Sequence, residues 1–154
     1  MRFQTSDDWI VELDRSSQTV IVSGERDVFE GILTYDMVSF SDLAMFMSEL
    51  RISFREEHGF NSRDAVERTV NGRRLYILEG DYLGNPSLMI YGEISLTEVG
   101  MIWVTFEESR TFDRMFDEVV EVISTLEVSV RTRGLETSRM PVIPFAEILN
   151  NIAE

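Results

Sequence analysis

Residues 101–128 read MIWVTFEESRTFDRMFDEVVEVISTLEV. In the first seven, Ile102, Val104 and Phe106 fall on one side of an extended chain and Met101 and Trp103 on the other, because successive strand residues point to opposite faces. A strand that is apolar on both sides needs cover on both sides. The period then changes from two to three-and-four. Phe112, Met115, Phe116, Val119, Val120, Ile123 and Leu126 form one stripe, which predicts an amphipathic helix over 112–126. Asp113, Asp117, Glu118 and Glu121 fall mostly off that stripe, and Ser109 or Thr111 is placed to cap the helix start. The combination predicts a sheet held between helices, or one with a face partly covered by another element.

Upstream, the sheet signal strengthens. Val66–Val70 and Arg73–Leu83 flank Asn71-Gly72, a pair that favours a tight hairpin because both residues tolerate positive φ. Leu83-Gly84-Asn85-Pro86 reads as a second turn, Ser87–Thr97 as a long strand with Leu88, Ile90, Ile94 and Leu96 on one side, and Glu98-Val99-Gly100 as a third turn. Before these lies a helical stretch. Ser41 is expected to cap it, Asp42 suits its positive end, Phe40 and Met45 are spaced for a hydrophobic staple, and Leu43, Phe46, Met47, Leu50 and Phe54 make its stripe. Gly59 is expected to end it in a left-handed conformation. The first 35 residues read as strands: Trp9–Leu13 and Thr19–Ser23 as a hairpin, then Val28–Tyr35, where Gly31 is the expected site of a bulge.

The tail differs. Ser129–Met140 is polar, Pro141 and Pro144 bracket Val142-Ile143, and Phe145, Ile148, Leu149 and Ile152 form a two-turn apolar stripe. So short a helix is marginal alone and must dock on something. Residues 129–154 hold three Arg against three Glu, so the whole net charge of −14 lies in residues 1–128. The expected organisation is one domain over 1–128 and a C-terminal extension over 129–154 with a short amphipathic helix.

Charge limits the partners. The 154 residues carry 28 Asp and Glu against 14 Arg, with no Lys. Such a surface repels phosphate backbones, so no nucleic-acid partner is expected. No apolar run is long enough to span a membrane. The start, MRFQTSDDWI, lacks the pattern of a secretory signal, which makes the cytoplasm the expected location. Absence of cysteine removes disulfides, thiolate metal sites and a cysteine nucleophile.

Chemistry-bearing patterns are few. His58 is the only histidine and is expected at a helix C-terminus in an exposed or capping role. Glu79 and Asp81 share one face of a strand, and Glu93 would complete a group of three carboxylates if it faced them from the next strand, an arrangement suited to a hard cation or to acid–base chemistry. No phosphate-binding glycine loop, nucleophile elbow or calcium loop occurs. The methionines in periodic segments read as core filling. No cofactor and no catalytic residue is expected.

The segments FEGILTYDMVSF leading into SDLAMFMSEL, the hairpin TVNGRRLYILEGDYL, and MIWVTFEE running into TFDRMFDEVVEVISTLEV together resemble the PsbP/DcrB-like family over residues 3–128. The resemblance implies an α+β fold: a mainly antiparallel sheet flanked by two main helices, an α/β/α sandwich, followed here by the short C-terminal helical tail. It also implies a non-catalytic accessory or protein-interaction role. On that reading Phe145, Ile148, Leu149 and Ile152 bind a protein partner or a second copy in a homodimer. The alternatives are an acidic immunity-type inhibitor of a basic toxin, whose encounter charge complementarity would speed, and a divalent-cation-dependent hydrolase built on Glu79, Asp81 and Glu93.

Overall fold

The computed structural model describes residues 3, 5, 8–14, 19–24 and 28–127. The extension over 129–154, with Phe145, Ile148, Leu149 and Ile152, and the expected boundary at residue 128 lie outside the described residues. The described elements are strands β1 (Trp9–Asp14), β2 (Thr19–Gly24) and β3 (Phe29–Asp36), helices α1 (Phe40–Met45) and α2 (Met47–His58), strands β4 (Phe60–Ser62), β5 (Val66–Val70), β6 (Arg73–Tyr82), β7 (Asn85–Ser95) and β8 (Glu98–Phe106), and helix α3 (Ser109–Ser124). All strands join one antiparallel sheet in the order β1-β2-β3-β8-β7-β6-β4, and β5 also pairs with β6.

β8 lies at the centre, and its alternation divides the core. Ile102, Val104 and Phe106 join Val22, Leu33, Leu75, Leu88 and Ile90 in a cluster closed by Met115, Val119, Ile123 and Leu126 from α3 and the turn after it. Met101 and Trp103 join Leu78, Met89 and Tyr91 in a second cluster with Phe40, Leu43, Met47 and Phe54 from α1 and α2. Three helices are present where two main ones are expected. The first and second form what reads in sequence as a single helix, broken at Phe46, whose φ of −103° and ψ of 11° leave the helical range. The break turns Phe46 outward, 55% exposed, while Leu43, Met47 and Phe54 stay inward.

The start of α1 is also shifted. Ser39, not Ser41, is the cap: its hydroxyl accepts the Asp42 amide at 3.1 Å. Phe40 then occupies the first helical position and is buried, its ring stacked on Tyr76 at 4.8 Å and with the Arg74 guanidinium over the ring at 4.7 Å. The expected Phe40–Met45 staple is absent, since Met45 is 70% exposed, and the apolar pair flanking the cap is Val38 and Leu43. α2 ends as expected on Gly59, at φ 72°.

Asn71-Gly72 makes its hairpin with φ of 53° and 77°. The expected turn at Glu98–Gly100 is strand instead: β8 begins at Glu98, and a register shift between Glu93 and Ser95 moves the turn to Leu96-Thr97. Gly31 sits in regular register with Val22 and Val104 and makes no bulge.

α3 begins three residues earlier than its apolar stripe. Its cap is Glu108, without a side-chain hydrogen bond, rather than Ser109 or Thr111. Its far end is anchored by chemistry on the Asn71-Gly72 hairpin. Arg73 donates to the Ile123 carbonyl at 2.8 Å, and the Asn71 amide donates to the Ser124 hydroxyl at 3.1 Å. A cation suits this end of a helix, where carbonyls are unpaired. Beneath it Gly92 pairs with Gly100. A Cβ on Gly100 would run into Leu126 and one on Gly92 would lie 3.1 Å from Ile123, so the missing side chains let the helix lie close to the sheet.

Candidate functional site

Among the described residues, the helical cover over the Trp103 side of the sheet is incomplete. One cross-strand row on that side runs Leu78–Met89–Trp103–Ile32–Ile21, each residue directly opposite the next. Leu78, Met89 and Trp103 are buried in the cluster closed by α1 and α2. Ile32 and Ile21 are only half-buried and open into a groove of about 330 Å³. Ile21, Ile32 and Trp103 form its floor, Tyr82 and Leu83 one wall, and Glu30, Asn85 and Thr105 its polar margin.

The floor is rigid. The Trp103 ring meets Tyr82 edge-on at 5.2 Å and Phe60 at 5.3 Å. Its indole N–H donates to the Ser87 hydroxyl at 2.7 Å, and that hydroxyl donates to the Val104 carbonyl at 3.1 Å. A buried polar group satisfied in this way specifies one orientation of the ring. The wall is more unusual. Leu83 holds φ at 52° in the Leu83-Gly84 turn and leaves its side chain 73% exposed. A leucine in the left-handed region costs about 1–2 kcal/mol. The two-residue hairpin between β6 and β7 demands positive φ at both Leu83 and Gly84, as Asn71-Gly72 supplies between β5 and β6, so the unusual feature is an exposed leucine where asparagine or glycine is favoured.

Beside the groove lies the edge of the sheet. β1 pairs only with β2 among the described strands. Ile10, Val11 and Leu13, from both of its faces, are 38%, 46% and 51% exposed. Natural edge strands are usually protected by charge or proline, and an apolar edge is a surface for another chain.

The carboxylates do not assemble. Glu79 and Asp81 lie on the face of β6 that carries Leu75 and Ile77, beside α3, where they line a polar cleft with Arg63 and Asp113. Glu93 lies on the opposite face with Tyr91 and is held by Arg74, whose Nε donates to it at 3.2 Å. The sheet therefore separates Glu93 from the other two. No group of three or more His, Cys, Asp or Glu among the described residues is placed to hold a metal ion. His58 is buried rather than exposed, with Nε2 3.9 Å from a Glu57 carboxylate oxygen. It stands at the C-terminal end of α2 and outside the groove.

The groove residues Ile21, Ile32, Tyr82 and Leu83 were not legible as a site. Ile21 is visible in sequence as the odd apolar residue between Val20 and Val22, and Leu83 as a leucine inside a turn. The signal that joins them is a deficit: the N-terminal strands carry apolar residues on both faces, and the described residues hold too few amphipathic helices to cover them all.

Comparison with solved structures agrees with this architecture. The solution structure of cyanobacterial PsbP (CyanoP) from Synechocystis sp. PCC 6803 superposes with a TM-score of 0.50 over 80% of this chain and 83% of that one, at 16% sequence identity. The chain has a PsbP-like fold. At that identity the likeness concerns the fold of a PsbP-like chain and not its activity. No protein-family model matches the sequence, and no curated protein does. No helix among the described residues is long and apolar enough to cross a membrane.

Proposed function

We propose that this PsbP-like chain is a non-catalytic protein-interaction module whose contact surface is the Ile21–Ile32–Trp103 groove together with the β1 edge. The observation that supports the reading is the apolar row Trp103, Ile32 and Ile21 walled by exposed Leu83, with exposed Ile10 of β1 on the same face of the sheet and exposed Val11 and Leu13 on the other face of that edge strand. Exposed apolar surface of this kind marks interaction sites, and an apolar edge strand is open to pairing with another chain. The partner presents apolar side chains flanked by basic ones. Glu30 stands at the groove margin, and the domain carries the full −14 charge of the chain. Charge complementarity then speeds encounter and makes it salt-dependent. An inhibitor of a basic protein is one instance of this reading.

The test compares capture of a partner by immobilised full-length protein with capture by Ile21→Glu, Leu13→Lys and, as a control at the far end of β7, Leu96→Glu. The first two lose capture and the third keeps it. Retention by all three overturns the reading.

A further inference from the structure

The two edges of the described sheet are finished differently. One is shared by β4, three residues long, and β5, whose exposed Glu67 and Arg68 set charge on both of its faces. Short strands and charged side chains are the ordinary protection of an edge. β1 is built otherwise. Its six residues run in unbroken register with β2, without bulge or proline, and Ile10, Val11 and Leu13 are exposed along it. We propose that β1 is a template for strand addition: an extended segment of a partner protein, alternating apolar and basic residues, pairs with its outer edge and continues the sheet.

The register dictates that alternation. Glu12 stands opposite Ile21, so the row Trp103–Ile32–Ile21 ends at an exposed carboxylate on the edge strand. An added residue facing Glu12 lies on the groove side, and its two neighbours lie on the other side, against Val11 and Leu13. A cation suits the first position and apolar side chains suit the others, because directly opposed cross-strand pairs stabilise a sheet when they match. Charge supports the same occupant. β1, β2 and β3 hold Glu12, Asp14, Glu30 and Asp36 and no basic residue, and Glu30 stands at the groove margin. A second copy would instead set two chains of −14 side by side. In strand addition the main-chain hydrogen bonds supply affinity and the alternate side chains supply specificity.

This inference rests on the β1 edge being part of the contact surface, and its test separates the two. The probe is a peptide of alternating valine and lysine, about seven residues long and so able to span β1. It is added to the full-length protein while amide exchange is followed residue by residue. The peptide slows exchange at the outward-facing amides of β1 by at least about tenfold. A peptide of the same composition in scrambled order does not, nor does one of alternating valine and glutamate. Glu12→Lys weakens binding about threefold to tenfold, and the charge-matched Glu67→Lys on β5 leaves it unchanged. Failure of the alternating peptide to bind overturns the proposal, as does binding that leaves the β1 amides exchanging as before. Slow exchange of those amides in the free protein also overturns it: at every dilution it assigns the edge to the chain's own residues, and only at high concentration to a second copy. If a captured partner is lost on Ile21→Glu yet leaves β1 unprotected, strand addition fails and the groove remains the contact surface.

Discussion

The two faces of the sheet are built from the same strands and finished differently. On one, a sixteen-residue helix lies over β7 and β8, lowered onto a glycine pair and pinned at its end by Arg73 and Asn71. On the other, the cover is two short helices broken at Phe46, tied to β4 by Arg51, which donates to the Ser62 carbonyl at 2.8 Å. These leave Ile32 and Ile21 at the end of a row whose other members are buried. The contrast shows where this fold invests stability and where it leaves surface for binding. A continuous helix closes a face, whereas an interrupted one covers only the strands beneath it.

The largest expected effect tests that contrast directly. Ile123→Ala, on the buried face of the long helix, costs about 2–5 kcal/mol, because it removes a fully buried side chain and leaves a cavity. Ile32→Ala, at the rim of the incomplete cover, costs about 1 kcal/mol, since a half-buried side chain loses less apolar contact. Urea unfolding of both variants decides it, and equal costs would mean that both faces are equally closed.

Next comes alkaline pH. Burial raises the Tyr91 phenol far above its ordinary value, and burial followed by the nearby Glu98 carboxylate raises Tyr35. The folded protein then keeps protons that the unfolded chain releases near pH 10. Stability is therefore complete below about pH 10 and falls above it, by up to about 1.4 kcal/mol per pH unit for each such group. Tyr91→Phe removes one ionisable group and makes the alkaline fall shallower. Unfolding midpoints measured between neutral and strongly alkaline pH show this, and an unchanged slope would contradict it.

Smaller again is the loss of the helix anchor. Arg73→Ala leaves the Ile123 carbonyl without its charged donor at a helix end and costs about 1–2 kcal/mol. The same change at Arg51, in the face with interrupted cover, releases α2 from β4 and increases hydrogen exchange in α2 without reaching α3. Exchange that spreads to α3 would show that the two faces open together.

Legibility in the sequence follows the same division. The α3 side was readable because one long stripe, Phe112 to Leu126, has a single period, and because Asn71-Gly72 names its own turn. Errors on that side were confined to boundaries, such as the Glu108 cap. The α1–α2 side misled because Leu43, Phe46, Met47, Leu50 and Phe54 satisfy an unbroken helix equally well. Only packing reveals that Phe40 is drawn under Arg74 and onto Tyr76, that Ser39 caps as a result, and that Phe46 turns out. The groove was illegible for a related reason. It is made of side chains from five strands and a turn, joined by cross-strand register, which no local pattern encodes. The carboxylate trio failed on the same ground: strand alternation placed Glu79 with Asp81 correctly, but nothing local fixed the face of Glu93.

The smallest effect is the most discriminating for function. Leu83 is mostly exposed and sits at φ 52°, with Gly59 of the α2 cap against it, so that a Cβ on Gly59 would lie 3.3 Å from its Cδ2. Its packing contribution to the domain is slight, whereas its backbone conformation carries a cost that glycine would not. Leu83→Gly is therefore expected to leave the fold intact and to raise stability by about 0.5–1 kcal/mol, while weakening whatever occupies the groove by removing one wall. A gain in the urea midpoint paired with a loss of binding identifies a residue kept for contact rather than for folding. A loss in both would place Leu83 in the core, and the groove would then be an ordinary crease at the edge of the helical cover.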